Sequence, residues 1–285
     1  MVKEHISKIP ARKEDTHKGD FGHVFVVAGS RGMTGAAYLA SQAALLSGSG
    51  LVTCGIPESL NAVMEVKLTE AMTLALPGTK EGSLAQTAEK EIINFAEKTD
   101  VIALGPGLSR HRETQKLVLN LLKGIQKPIV LDADGVIALI GNCDMLKKRK
   151  APTILTPHPG EMSKLIAKDI GAIRRNREKI ALGFAKKYGV ILVLKGHGTV
   201  VADSKSSAYT NRTGNSGMST AGAGDVLTGM VASFVGQGIN PYSAAVIGVY
   251  LHGLAGDIAA REKGQFSMMA GDLLEKLPQA IQEAL

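Results

Sequence analysis

The chain has 285 residues, of which 45% are hydrophobic and 21% charged, a balance that supports a well-filled globular core of one large or two small units. The formal net charge is +7, but the basic residues are scattered, with short runs at 147–150 and 174–177, while aromatics make up 4% and Trp is absent. That argues against a base-stacking nucleic-acid platform and leaves solvated basic faces or an anionic small-molecule ligand. The two cysteines, Cys54 and Cys143, lie far apart, so neither a disulfide framework nor a zinc site is indicated, and a reducing cytoplasm is the expected setting. Residues 1–15 carry charges throughout and hold no apolar leader core, and no uninterrupted apolar run of about 18 residues is present. No membrane partner is expected.

In chain order, apolar runs alternate with stretches of helical composition. A strand is expected at 23–28 and a buried helix at 36–46, then a strand at 51–56, a surface loop at 78–83 and a helix at 84–97. A strand follows at 101–104, a helix at 112–122, strands at 128–131 and 153–155, a helix at 174–187 and a strand at 190–194. Residues 199–202 and 207–210 suggest a small antiparallel addition, and helices are expected at 225–235 and 244–261. The strands are almost continuously apolar, as in sheets covered on both faces. Repeated strand-then-helix order predicts βαβ crossovers, and hence an α/β fold: a three-layer αβα sandwich with a mostly parallel central sheet. No linker or repeat divides residues 1–285, so a single domain is expected.

Ligands of open α/β sheets bind beyond the carboxyl ends of the strands. Five polar clusters fall there: 29–37, 105–108, 132–135, 156–162 and 195–199. The sharpest segment is 213–225, ending in Gly222-Ala223-Gly224-Asp225 before a helix. Glycines at a helix start leave backbone N–H groups free for an anion, and the helix dipole adds to the attraction. It is neither a GxxxxGK[ST] loop nor a GxGxxG turn. A carboxylate in a first helical turn is favourable on its own account. Beside an anion-binding turn, Asp225 reads better as a base that accepts a hydroxyl proton while the oxygen attacks phosphorus.

Gly222-Ala223-Gly224-Asp225 resembles the anion hole and catalytic aspartate of the ribokinase-like superfamily. Further motifs narrow the resemblance: His17-Lys18-Gly19, Gly32-Met33-Thr34-Gly35-Ala36, Gly105-Pro106-Gly107-Leu108, Asp132-Ala133-Asp134-Gly135, Thr156-Pro157-His158-Pro159-Gly160-Glu161-Met162 and Leu251-His252-Gly253-Leu254-Ala255-Gly256-Asp257. With them the chain resembles the NAD(P)H-hydrate dehydratase family over nearly its whole length. The resemblance implies a hydro-lyase that returns hydrated NADH and NADPH (NADHX and NADPHX) to the reduced dinucleotides. ADP or ATP is the implied co-substrate, with a lean to ADP, and Mg²⁺ the implied cofactor. Asp225 is then the catalytic base beside the hydrated ring, and Ala36, Gly107 and His158 line the hydrated-dinucleotide site. Lys195, Gly196, His197, Gly198 and Thr199, with Gly222, Ala223 and Gly224, hold the adenine nucleotide. His197 departs from the smaller residue common at its position. A stand-alone dehydratase, a separate NAD(P)HX epimerase acting with it and a homotetramer are also implied.

Several residues keep two readings. Asp132 and Asp134 are candidates for water-mediated Mg²⁺ contact or helix capping, and Glu161 shares both. His252 and Asp257 read as packing and hydrogen-bonding groups, and His17 and Lys18 as a phosphate contact or an ordered N-terminal arm. The competing function is a vitamin-precursor kinase of the same fold, which shares 222–225 but lacks the motifs at 156–162 and 251–257. A nucleotide-sensing protein without turnover is the non-enzymatic reading.

Overall fold

The computed structural model describes residues 2–205 and 207–285. After a short helix α1 (Val2–Ile6), strands β1 (His23–Val27), β2 (Leu51–Pro57) and β3 (Met72–Leu76) alternate with helices α2 (Thr34–Leu46) and α3 (Glu58–Lys67). The next units are α4 (Glu89–Ala96), β4 (Val101–Leu104), α5 (Arg112–Gly124), β5 (Ile129–Leu131) and α6 (Ala133–Ala138). They lead to β6 (Thr153–Leu155), α7 (Pro159–Ile166), α8 (Ile170–Arg175), α9 (Arg177–Tyr188) and β7 (Ile191–Leu194). A hairpin of β8 (Val200–Ala202) and β9 (Ala208–Thr210) precedes the closing helices α10 (Ala223–Gly236), α11 (Pro241–Lys263) and α12 (Ala270–Ala284).

All nine strands form one sheet in the order β3-β2-β1-β4-β5-β6-β7-β8-β9. The strands from β3 to β7 run parallel, and β8 and β9 add antiparallel at one edge. Because side chains alternate across a strand, β1 sends Val24 and Val26 to one core and Phe25 and Val27 to the other. In β4, Val101 and Ala103 divide from Ile102 and Leu104 in the same way. Both faces are therefore apolar, which is why the strands read as continuous rather than alternating runs. Helices α2, α10, α11 and α12 cover the first face, and α4, α5 and α9 the second.

Helices α2 and α10 meet backbone to backbone. A Cβ on Gly229 would lie 2.0 Å from the Ala40 carbonyl oxygen, and the facing positions of α2 are Ala40, Ala43 and Ala44. This small-residue contact sets the start of α10 near the first turns of α2. Helix α11 has the length and apolar composition to cross a bilayer, although no uninterrupted apolar run reveals it; 72% of its most apolar window is buried against the fold.

Some expected elements shift. The helix expected at 174–187 is two helices broken at Asn176, which leaves helical geometry at φ −127°. Edge strand β3 was not expected, although residues 71–76 are apolar but for Thr73; it lies half exposed at the sheet edge. Helix α12 carries Pro278 inside it, a residue that normally ends a helical pattern. The expected loop at 78–83 is closed at its base, where Gly78 bridges Leu84 and Ser83 is buried against Thr114.

Candidate active site

The carboxyl ends of β5, β6 and β7 open into a cavity of about 560 Å³, a size that suits a small-molecule ligand. The segment 211–219 and His252 of α11 close its far side, and the first turn of α10 forms one wall. Gly222 caps that helix at φ 91°, where a Cβ would lie 2.5 Å from Leu39 Cδ1 and 3.0 Å from Ala270 Cβ. Only glycine meets both the left-handed backbone and the close approach. Ala223, Gly224 and Asp225 follow and face the cavity.

Asp132, at the end of β5, is 1% exposed and accepts three hydrogen bonds. Thr156 Oγ1 donates to its Oδ1 at 2.7 Å and Lys195 Nζ to the same oxygen at 2.6 Å, while Thr228 Oγ1 donates to Oδ2 at 2.8 Å. Asp132 stands at the cap position of α6, yet its side chain makes no capping bond. Of its two sequence readings, capping does not hold. Asp134 turns away, accepting from the Ser109 N–H at 2.9 Å and lying 3.5 Å from Arg110 Nε.

His158 caps α7: its Nδ1 accepts from the Gly160 and Glu161 N–H groups, while Glu161 Oε2 accepts from the His158 N–H at 2.8 Å. With Nδ1 used as an acceptor, the proton of the neutral ring sits on Nε2, which lies 3.5 Å from Glu161 Oε1. Glu161 thus takes its capping reading. His252 Nε2 donates to the Ala223 carbonyl at 2.8 Å, and burial pushes the ring down to about 4; it is a neutral brace under the α10 turn. Asp257 accepts from the Gly214 N–H and from Asn215 Nδ2 at 2.9 Å each, which anchors the 211–219 wall. Both match their packing readings. His17 and Lys18 lie outside the cavity, at a short 3₁₀ turn whose Lys18 backbone packs on Gly50.

Electrostatics single out Asp225. Burial, helped by the nearby Asp132 charge and opposed by Lys195, raises its carboxyl to about 7. A first-turn position alone would favour the anion, so burial outweighs the helix dipole here. Burial works against the Lys195 charge, but Asp132 and Glu161 outweigh it and hold the ammonium above its usual range. Glu161 is itself raised by burial against the pull of Lys195.

Of the residues expected to hold the nucleotide, Lys195, Gly196, His197 and Thr199 line the cavity with Gly222, Ala223 and Gly224, whereas Gly198 does not. The 195–199 turn closes on itself, Thr199 Oγ1 donating to the Gly196 carbonyl at 2.9 Å. Of the residues expected at the hydrated dinucleotide, His158 and Asp225 line this cavity, but Ala36 and Gly107 lie outside it and against each other. A Cβ on Gly107, at φ 61°, would sit 3.0 Å from Ala36 Cβ, and Ser30 Oγ donates to the Gly107 carbonyl at 2.8 Å. Sequence reading missed Asn211, whose Nδ2 reaches the Val249 carbonyl at 3.2 Å, and Thr228. Thr228 had a signal: three residues after Asp225 on a helix, it shares that residue's face.

No group of three or more His, Cys, Asp or Glu side chains among the described residues is placed to hold a metal ion. Both Asp132 oxygens and one Glu161 oxygen are already engaged. The residues present do not form a protein cage for Mg²⁺.

The geometry can be set beside known proteins. The family model described as NAD(P)H-hydrate dehydratase matches residues 24–279. A bifunctional NAD(P)H-hydrate repair enzyme of Moorella thermoacetica is 47% identical over 272 residues, 95% of this chain and 51% of that protein. The chain thus spans about half the length of several curated relatives it matches. An ADP-dependent (S)-NAD(P)H-hydrate dehydratase of Neisseria meningitidis is 34% identical, covering 92% of this chain and 86% of that protein. Among solved structures, the ADP/ATP-dependent NAD(P)H-hydrate dehydratase of Bacillus subtilis, co-crystallised with ATP/Mg²⁺, superposes with a TM-score of 0.85 at 28% identity, over 100% of this chain and 98% of that one. The sheet order, the α10 turn and the match across 24–279 agree: this chain belongs to the NAD(P)H-hydrate dehydratase family.

Proposed function

We propose that this chain dehydrates hydrated NADH and NADPH at the expense of an adenine nucleotide, with Asp225 as the base. The observation that carries the reading is Asp225 itself, a carboxylate raised to about 7 at the glycine-capped start of α10, in a cavity of nucleotide size. A base is most effective when its proton affinity lies near the working pH. In this reading the hydroxyl of the hydrated ring loses its proton to Asp225 as its oxygen bonds the terminal phosphorus and the bridging P–O bond of the nucleotide breaks. Phosphate then leaves with the C–O bonding electrons, pushed by the ring-nitrogen lone pair. Loss of a proton from the neighbouring carbon restores the reduced ring. The backbone N–H groups at 222–225 face the transferred phosphoryl group, where fixed donors stabilise developing charge.

The names of the Neisseria and Bacillus relatives support ADP or ATP as donor. The hydrogen bonds already made by both Asp132 oxygens favour Mg²⁺ arriving on the nucleotide phosphates, consistent with the habit of Mg²⁺ of keeping waters and few protein ligands. The bifunctional relatives support a link to a second repair activity, which we take to be the epimerase. Family membership favours dehydration over the vitamin-precursor kinase.

The test is to incubate the protein with hydrated NADH, Mg²⁺ and either ADP or ATP. Recovery of NADH absorbance with one free phosphate per NADH is expected. A stable phosphorylated product without recovery of NADH would replace the proposal with the kinase reading.

A further inference from the structure

We infer that Asp132 and Lys195 are positioning residues for Asp225: Asp132 pins the Lys195 ammonium beneath the Gly224-Asp225 turn, where it holds the Asp225 carboxylate ready to accept a proton. This inference rests on the proposed role of Asp225, and it moves Lys195 from the nucleotide contacts to the catalytic support.

The geometry starts at Gly224. A Cβ added there would lie 3.1 Å from Lys195 Nζ and 3.8 Å from Asp132 Oδ2. The ammonium therefore sits against the backbone of the turn itself, and the absence of a side chain at 224 makes room for it. A side chain at 224 would meet Lys195 first. The lysine is 17% exposed and its partner 1%, so the pair is largely withdrawn from solvent and its charge is poorly screened there.

Asp132 then ties three elements to this point. Through Thr156 it holds the end of β6, through Lys195 the end of β7, and through Thr228 the first turns of α10. Thr228 Oγ1 also lies 3.1 Å from the Gly224 carbonyl oxygen, which can share its one proton, so the lock reaches the same peptide from the helix side. One carboxylate with every bond made fixes a lysine, and the lysine fixes the field at the base. A buried charge left without its partner is costly, which favours this one arrangement.

The charges that act on Asp225 come from several elements. Asp132 and Asp134 at the start of α6 and Glu161 on α7 raise it, and Lys195 after β7 is the one that lowers it. His252 on α11 is neutral. Removing Lys195 must then drive Asp225 further up. Asp132→Asn keeps an oxygen that accepts from Lys195, so the pin stays while a repelling charge is lost, and Asp225 must come down.

The test uses the full chain with ¹³C-labelled aspartate carboxyls, the Asp225 signal being identified by its loss in Asp225→Asn. The titration of Asp225 is followed by NMR in the native protein, in Lys195→Met and in Asp132→Asn. An upward shift of about one to three units is expected in Lys195→Met, the usual effect of a close opposite charge, and a downward shift in Asp132→Asn. Turnover against pH is measured in parallel. The acid limb of kcat should move upward in Lys195→Met and downward in Asp132→Asn, with the KM for ADP changed less than kcat. Lys195→Arg, which keeps the charge, should restore much of the native titration. An unchanged Asp225 titration in Lys195→Met, with the loss falling on the KM for ADP, would overturn the inference and return Lys195 to the nucleotide. If Lys195→Met does not fold, Lys195→Arg and Asp132→Asn carry the same titration, and absence of a downward shift in Asp132→Asn overturns it alone. The NMR arm needs no turnover, so a failure of the dehydratase reading shows separately, as a native protein that titrates as described but does not restore NADH.

Discussion

Two regions beyond the carboxyl ends of the strands are built by different means. On the cavity side, buried charges do the shaping: Asp132, Lys195 and Glu161 are held by hydrogen bonds and set the field at the base. On the Ala36–Gly107 side, backbone approaches do it. Gly29 N–H donates to the Pro106 carbonyl at 2.8 Å, and a Cβ on Gly105 would lie 1.9 Å from the Asp132 carbonyl oxygen. The first side is tuned by charge and should respond to pH and to isosteric substitution. The second is shaped by the absence of side chains and should respond to added volume. Two regions of one fold can thus be fragile in unrelated ways.

Substitutions can break this contrast. Gly105→Ala adds a methyl where the backbone has φ 130° and the Asp132 carbonyl stands in the way. Strain and overpacking together should cost about 3 kcal/mol or more, read as a large fall in melting temperature. An unaltered melt would show that the backbone side has slack the geometry denies.

Asp225→Asn should act in the opposite direction on stability. The folded protein holds the Asp225 proton up to about pH 7 against an ordinary value of 3.8, so it binds more protons than the unfolded chain between those limits. Stability from this group is therefore present at acid pH and lost as pH rises through the window. The asparagine variant should be more stable than the native protein above pH 7 by about 2 kcal/mol, after discounting for partial solvent access, with the difference vanishing near pH 4. Equal melting curves across that range would mean that Asp225 is not strained by its burial.

His158→Ala sharpens the contrast with the smallest effect. Loss of the α7 cap should cost about 1 kcal/mol, and loss of the Nε2 donor should raise the KM for hydrated NADH more than that for ADP. Equal changes in both constants would place His158 on the nucleotide side.

Much of the frame was legible because both sheet faces are buried. Continuous runs such as 101–104 and 153–155 match β4 and β6 residue for residue, and the glycine turn at 222–225 announced its helix. What stayed hidden depended on partners distant in sequence. Asp132 could be placed at a strand end, but its bond to Thr228 joins residues 96 positions apart, and no local pattern distinguishes a locking carboxylate from a capping or metal-facing one. Lys195 was placed at the nucleotide by the family resemblance; that it bears on the Gly224 peptide follows only from the packing of α10 over the sheet. Edge strand β3 was passed over although residues 71–76 are apolar but for Thr73, and α12 because Pro278 interrupts its pattern.

The account rests on Asp225 as proton acceptor, and a single-turnover comparison of the native protein with Asp225→Asn tests this most directly. Both are mixed with hydrated NADH, Mg²⁺ and ADP or ATP, and both free phosphate and recovered NADH are followed in time. General-base assistance is worth about 10²–10⁴-fold. The asparagine variant should therefore lose turnover by at least that range, accumulate no phosphorylated intermediate and bind nucleotide with little change, since the backbone N–H groups of 222–225 remain. Near-native turnover in Asp225→Asn would contradict the account and reduce the glycine turn to a binding element.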